Sequence, residues 1–206
     1  AATYDAATEM TGTNPSGVWQ YGRDNHLTAA NDFVAFDHFD SSPAGLGWNT
    51  PGYQELGAPG IWVNTAGATQ YGVADGQLAL HPGPAGGGTS GDAAILRFTA
   101  PTAGSWLVSA QFLAGDGGAT DAWVVLNGQF GSPLASLGNT DLGVAFNQSV
   151  LMQAGDTLDF AVGNAGSFYS VNTPLVLTIS SVPEPGSAVL LLAGLLGVAR
   201  LQSRRR

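Results

Sequence analysis

"AAILRFTAPTAGSWLVSAQF", residues 93–112, carries the clearest statement of architecture in the chain. Two runs rich in β-branched, aromatic and aliphatic residues flank Pro101-Thr102-Ala103-Gly104. Pro presets its own φ and Gly accepts a positive one, so this tetrapeptide reads as a turn. In the second run Trp106, Val108, Ala110 and Phe112 fall on one face, and Ser105, Ser109 and Gln111 on the other. That period of two predicts a strand half-buried against a core.

The same grammar extends in both directions. "DAWVVLNGQF" (121–130) contains Asn127-Gly128, a two-residue hairpin signal. "VAFNQSVLMQAGDTLDFAVGN" (144–164) breaks at the turn "QAGD", after which Leu158, Phe160 and Val162 alternate with Asp159 and Ala161. In "PLVLTIS" (174–180) Leu175, Leu177 and Ile179 point one way. "GVWQYG", "DFVAFDHF", "IWVN" and "GQLALHPG" add shorter strands. About eight to ten strands at even spacing, with almost no helical periodicity, predict an all-β, two-sheet β-sandwich of jelly-roll type. The expected organisation is an N-terminal extension (1–13), a β-sandwich (14–181) and a tail (182–206) that includes a single hydrophobic helix.

Composition agrees. Gly and Pro supply 41 of 206 residues, while only 10% are charged, too few to clothe long amphipathic helices. Before Pro183 the only Lys or Arg residues are Arg23 and Arg97, against fourteen Asp and Glu. Such a surface repels phosphate backbones, which argues against nucleic acid as a partner. The chain has no cysteine, which removes thiol catalysis and cysteine-based zinc sites. Its opening, "AATYDAATEM", suits a chain from which a secretory leader has been cut.

The tail contrasts with everything before it. Residues 186–199 hold no charge and only Ser187 as a polar side chain; Arg200, Arg204, Arg205 and Arg206 follow. Fourteen helical residues span about 21 Å, short of a bilayer core of about 30 Å. Arginine snorkelling lengthens the reach, and positive charge favours the cytoplasmic side, which puts the body across the membrane. Val182-Pro183-Glu184-Pro185, then an apolar helix, then a terminal Arg cluster resembles the PEP-CTERM sorting signal of Gram-negative bacteria. The resemblance implies recognition and cutting by an exosortase-type enzyme, with Pro183, Glu184 and Pro185 as recognition element. The arginines would hold the segment in the inner membrane until processing. It also implies a final place at the cell surface or in the extracellular matrix, in organisms that make exopolysaccharide.

The body has a second, broader resemblance. "NPSGVWQYG" (14–22), "LALHPG" (78–83), "RFTAPTAG" (97–104) and "AGDTLDFAVGN" (154–164) are similar to the jelly rolls of carbohydrate-binding modules. Sugar-binding sandwiches present aromatic rings to pyranose faces, so Trp48 and Tyr53 in the Gly/Pro-rich "GLGWNTPGYQELG", with Trp19 and Tyr21, are the candidate platform. As large apolar side chains Trp106 and Trp123 read as core, and Trp19 and Trp62 fit the core as well. Asp116 and Asp121 in "AGDGGATDA" (114–122) are candidate calcium ligands, without EF-hand spacing; otherwise no cofactor is expected. His26, His38 and His81 lack zinc spacing, no nucleophile elbow is present, and Glu9 and Glu55 are the body's only Glu residues. The expectation is an exported, non-catalytic surface protein associated with exopolysaccharide. The rivals are a polysaccharide-acting enzyme and a structural matrix protein without a specific ligand.

Overall fold

The computed structural model describes residues 1–24, 32–43, 45–51, 57–84 and 92–183. His26, Tyr53, Glu55, Glu184, Pro185, the apolar run 186–199 and Arg200, Arg204, Arg205 and Arg206 lie outside the described residues. The expected C-terminal helix therefore does too, and among the described residues no helix is long and apolar enough to cross a membrane.

Fourteen strands are described: β1 (Thr3–Asp5), β2 (Trp19–Asp24), β3 (Val34–Ala35), β4 (His38–Ser42), β5 (Gly45–Asn49), β6 (Gly60–Asn64), β7 (Leu78–His81), β8 (Ala93–Thr99), β9 (Gly104–Phe112), β10 (Asp121–Leu126), β11 (Ala135–Leu137), β12 (Ala145–Met152), β13 (Thr157–Gly163) and β14 (Thr173–Ser181). They form two antiparallel sheets. One has the order β12-β9-β14-β7-β6-β5-β4, with β1 also pairing β14; the other runs β11-β10-β13-β8-β2-β3. The all-β, two-sheet reading is the fold observed.

The predicted alternation sets which side chains go inside. Trp106, Val108, Ala110 and Phe112 of β9 and Leu175, Leu177 and Ile179 of β14 are buried, facing Leu158, Phe160 and Val162 of β13 across one continuous core. Trp19, Tyr21 and Phe98 complete its aromatic centre, with Phe98 edge-on to Trp106 at 5.4 Å. An edge-to-face pair of this kind adds about 0.5–1.5 kcal/mol to the burial itself.

The turns do different work from that expected of hairpins. Residues 100–103 carry the chain from β8 in one sheet to β9 in the other, and residues 153–156 likewise join β12 to β13 across the sandwich. Asn127 and Gly128 take the expected positive φ of 52° and 66°. However, β10 and β11 are then separated by residues 127–134, so the turn opens a longer loop instead of closing a two-residue hairpin. Residues 1–13 are also more than an appendage: β1 pairs with β14 at Thr3↔Ser180, and Ala6 and Met10 enter the core.

Candidate functional site

Three of the four residues expected to form an exposed platform, Trp48, Trp19 and Tyr21, are inside; the fourth, Tyr53, lies outside the described residues. Trp48 is 6% exposed, lies parallel to Tyr21 at 6.4 Å, and donates its Nε1–H to the Thr11 carbonyl at 2.9 Å. The reason is that "GLGWN" is strand β5 and not a loop. Its inward Leu46 and Trp48 meet the core, while Gly45 and Gly47 lie beneath Trp62 on the other face. A Cβ on Gly47 would sit 2.6 Å from the Trp62 Cβ, so the glycines mark close packing. Trp19 is fully buried and donates Nε1–H to Glu9 Oε2 at 2.9 Å. Tyr21 is equally buried, and desolvation with the nearby Glu9 charge raises its phenol well above the ordinary value. None of the three is a solvent-facing stacking surface.

Trp123, expected in the core, sits half-buried on the outer face of the six-stranded sheet, against Ala93, Ile95 and Ala161 with Phe33 and Phe130. Phe33 also covers the Arg97 guanidinium at 4.0 Å. Beneath it Arg97 makes a two-pronged ion pair with Asp159, at 2.7 and 2.8 Å, between directly paired residues of β8 and β13.

The exposed aromatic surface lies elsewhere, on three loops, residues 65–77, 113–120 and 164–172. The last two lie at the end of the sandwich where β14 begins; the first leaves β6 and β7 at their other end and turns back to bring Gly72 against Gly115. Tyr169 is 68% exposed and packs against Phe168 at 4.3 Å; Tyr71 is 48% exposed and lies edge-on to Trp62 at 6.4 Å. Tyr71 has a φ of +49° and Ser170 one of +57°, a region that bulky side chains seldom occupy unless their surroundings hold them there.

What holds these loops is a polar chain. Trp62 Nε1–H donates to Asn172 Oδ1 at 2.9 Å. Asn172 in turn donates its backbone N–H to Asp116 Oδ1 at 2.8 Å and its side-chain amide to Asp116 Oδ2 at 3.0 Å. Asn64, fully buried, organises the first loop by donating to the carbonyls of Ala68 and Val73 at 2.8 Å and accepting from Ala66 N–H at 2.9 Å. Gly72 lets the first loop touch the second backbone to backbone at Gly115, and Gly115 lets the second loop approach the Asn172 main chain of the third, because a Cβ on either glycine would collide with that main chain.

Asp116 is thus engaged with Asn172, and Asp121 opens β10. Among the described residues no three His, Asp or Glu side chains gather in a way that could hold a metal ion. His81 ends β7 on the same outer face. Its Nδ1 lies 2.7 Å from the Pro82 carbonyl, which requires the proton on Nδ1, and its buried Nε2 has no partner among the described residues. Burial pushes the imidazole below its ordinary value, opposed in part by that carbonyl and by Asp116.

Beyond residues 74–77 of the first loop lies a groove of about 340 Å³. It occupies the gap on β14 between β7, which pairs through Thr173–Leu175, and β1, which pairs through Thr178–Ser180. Val176 and Thr178 line it, with Asp5 and Asp75 at its sides. The sequence marked Asp116 only as a candidate calcium ligand, and no signal in it marked the tyrosines of the rim or the groove, since each depends on loops that meet only in the fold.

At the opposite end of β14 the chain leaves the sandwich: Val182, 40% exposed, donates its N–H to the Ser105 carbonyl at 2.8 Å, and Pro183 follows. Residues 181–206 match the PEP-CTERM protein-sorting motif. No curated protein matches the chain. Among solved structures, it is similar to a family 35 carbohydrate binding module from an environmental isolate, at 15% identity and a TM-score of 0.29, over 49% of this chain and 77% of that one. A family 35 carbohydrate binding module from Clostridium thermocellum gives 17% identity and a TM-score of 0.30, over 46% and 73%. A Podospora anserina GH26-CBM35 beta-(1,4)-mannanase gives 16% and 0.35, over 89% of this chain and 28% of that one. From Ser181 onward the chain carries a PEP-CTERM protein-sorting motif, the mark of an exported protein anchored at its C-terminus before exosortase processing.

Proposed function

We propose that the chain is a non-catalytic cell-surface or extracellular-matrix protein whose loop rim binds exopolysaccharide. The observation that carries this reading is the pair of exposed tyrosines, Tyr71 and Tyr169, on loops fixed by the Asp116–Asn172–Trp62 chain. Preorganised aromatic rings bind with little loss of side-chain freedom, and their faces suit the C–H surfaces of sugar rings. The rim also sits at the far end of β14 from the sorting motif. Nine residues of strand separate them, about 30 Å. A body tethered through its C-terminus would therefore hold the rim away from the membrane.

The test is affinity electrophoresis of the full chain, in non-ionic detergent, through gels cast with acidic and with neutral polysaccharides. Retardation by at least one polysaccharide is expected, with loss in Tyr169→Ala and weakening in Tyr71→Ala. Loss in the presence of chelator would add calcium as a cofactor. Free migration in every gel would favour a structural matrix protein without a specific ligand.

A further inference from the structure

Among the described residues the two sheets end at β3, β11, β4 and β12, with the three-residue β1 beside β14, and the first three of those ends are protected in the ways sheet proteins usually protect them. β3 is two residues long and β11 three. β4 carries His38 and Asp40, paired at 3.1 Å. The fourth, β12, is eight residues long, reads Ala-Phe-Asn-Gln-Ser-Val-Leu-Met, and has no charge, proline or glycine. Short strands, charges and prolines are what keep an edge from pairing with another chain. Along Ala145–Met152 the described residues show no backbone hydrogen bond beyond the pairing with β9.

The surface beside this edge is equally unguarded. The outer faces of β12, β9 and the neighbouring part of β14 hold only hydroxyl, amide and aliphatic side chains. Leu151 is 72% exposed there, with Leu107 and Val144 also exposed. In a chain of net charge −9, two copies repel over most approaches. The β12 edge is where they meet with no charge on either side. An antiparallel edge is also its own complement, since a two-fold axis brings every outward donor opposite an acceptor.

We propose that β12 is an assembly edge, at which two copies of this chain pair β12 against β12 and fuse their eight-stranded sheets into one. If both cores lie on the same side of the joined sheet, paired residues share a face. The axis then passes at Gln148 or at Ser149, each opposite its own counterpart. In the first register Leu151 lies beside the second copy's Ala145, in the second beside its Asn147; either way an exposed leucine is covered.

Sedimentation velocity of the full chain in non-ionic detergent tests this directly. The expected result is a dimer that becomes a monomer in the double variant Gln148→Lys/Ser149→Lys, with an unchanged circular dichroism spectrum. Both positions are exposed, so the fold tolerates them while like charges meet at the axis. Because the chain has no cysteine, a single introduced one reads the register. Either Gln148→Cys or Ser149→Cys should oxidise to a covalent dimer, and Ser109→Cys, one strand inward, should not. A monomeric wild-type chain, a dimer that survives both lysines, or failure of both edge cysteines to cross-link would overturn the proposal. The second of those outcomes would assign dimerisation to another part of the chain.

Discussion

Asp116 accepts both the backbone N–H and the side-chain amide of Asn172, at 2.8 and 3.0 Å, and so joins loop 113–120 to the start of β14. Because Asn172 also accepts from Trp62, a single carboxylate ties two surface loops to an indole packed on the sheet. Charge-assisted bonds are worth about 1.5–3 kcal/mol each when well buried, and this pair is only partly so. Asp116→Ala should therefore cost about 1–2 kcal/mol in urea unfolding. It should abolish polysaccharide retardation with the far-ultraviolet spectrum unchanged. Asp116→Asn, which keeps one acceptor, should fall between.

His81 gives the fold a defined pH dependence. Burial lowers its pKa from an unfolded value near 6.5. Between the folded and unfolded values the unfolded chain binds more protons, so stability rises with pH through that window. It is fully present above about pH 6.5 and declines on acidification, by at most about 1.4 kcal/mol per pH unit. Urea melts from pH 7 down to 5 should show this slope. His81→Asn, whose amide can still donate to the Pro82 carbonyl, should reduce it. An identical slope in the two proteins would exclude His81 as its source.

What could be read in advance followed from local periodicity. The inward phase of β9, β13 and β14 is visible in residues 106–112, 158–162 and 175–179, because one buried face imposes an alternation of two. The burial of Trp48 was not legible, because Gly45 and Gly47 read as loop signals while in fact making room for Trp62 on the neighbouring strand. Nor was the outer position of Trp123: both faces of its sheet are covered, so alternation alone could not tell core from cover. The rim escaped for a third reason. Tyr71, Asp116 and Tyr169 lie on three separate loops, and only the order of strands brings those loops together.

The buried pair Arg97–Asp159 should behave as a unit. Asp159 is fully buried and Arg97 nearly so, under the ring of Phe33. Removing Arg97 leaves the buried Asp159 carboxylate without its guanidinium partner, at a cost of about 3–5 kcal/mol, whereas replacing both members of such a pair with apolar groups of similar volume is often close to neutral. Arg97→Met should therefore be strongly destabilising, and Arg97→Met/Asp159→Leu should recover most of the loss. The measurement is a double-mutant cycle in urea. Additive single effects would mean that the pair contributes little as a pair.

Gly47 offers a way to reach the rim without touching it. It lies in β5, paired to β6 at Gly47↔Trp62, and an added Cβ would meet the Trp62 Cβ at 2.6 Å and its Cα at 2.7 Å. Those are backbone and near-backbone atoms fixed by strand pairing on both sides, so neither can withdraw cheaply. Overpacking of this kind costs about 1–3 kcal/mol. Gly138, by contrast, has its nearest neighbour at 3.7 Å and an ordinary φ of −90°. Gly138→Ala should then change stability by no more than about 0.5 kcal/mol. The distinctive consequence concerns Trp62, whose Nε1–H anchors Asn172. Displacing that indole pulls on the residue that Asp116 holds, so Gly47→Ala should weaken polysaccharide retardation as well as stability. If Gly47→Ala lowers stability yet leaves retardation intact, the rim is held by Asp116 and Asn172 alone, and Trp62 only packs beneath it.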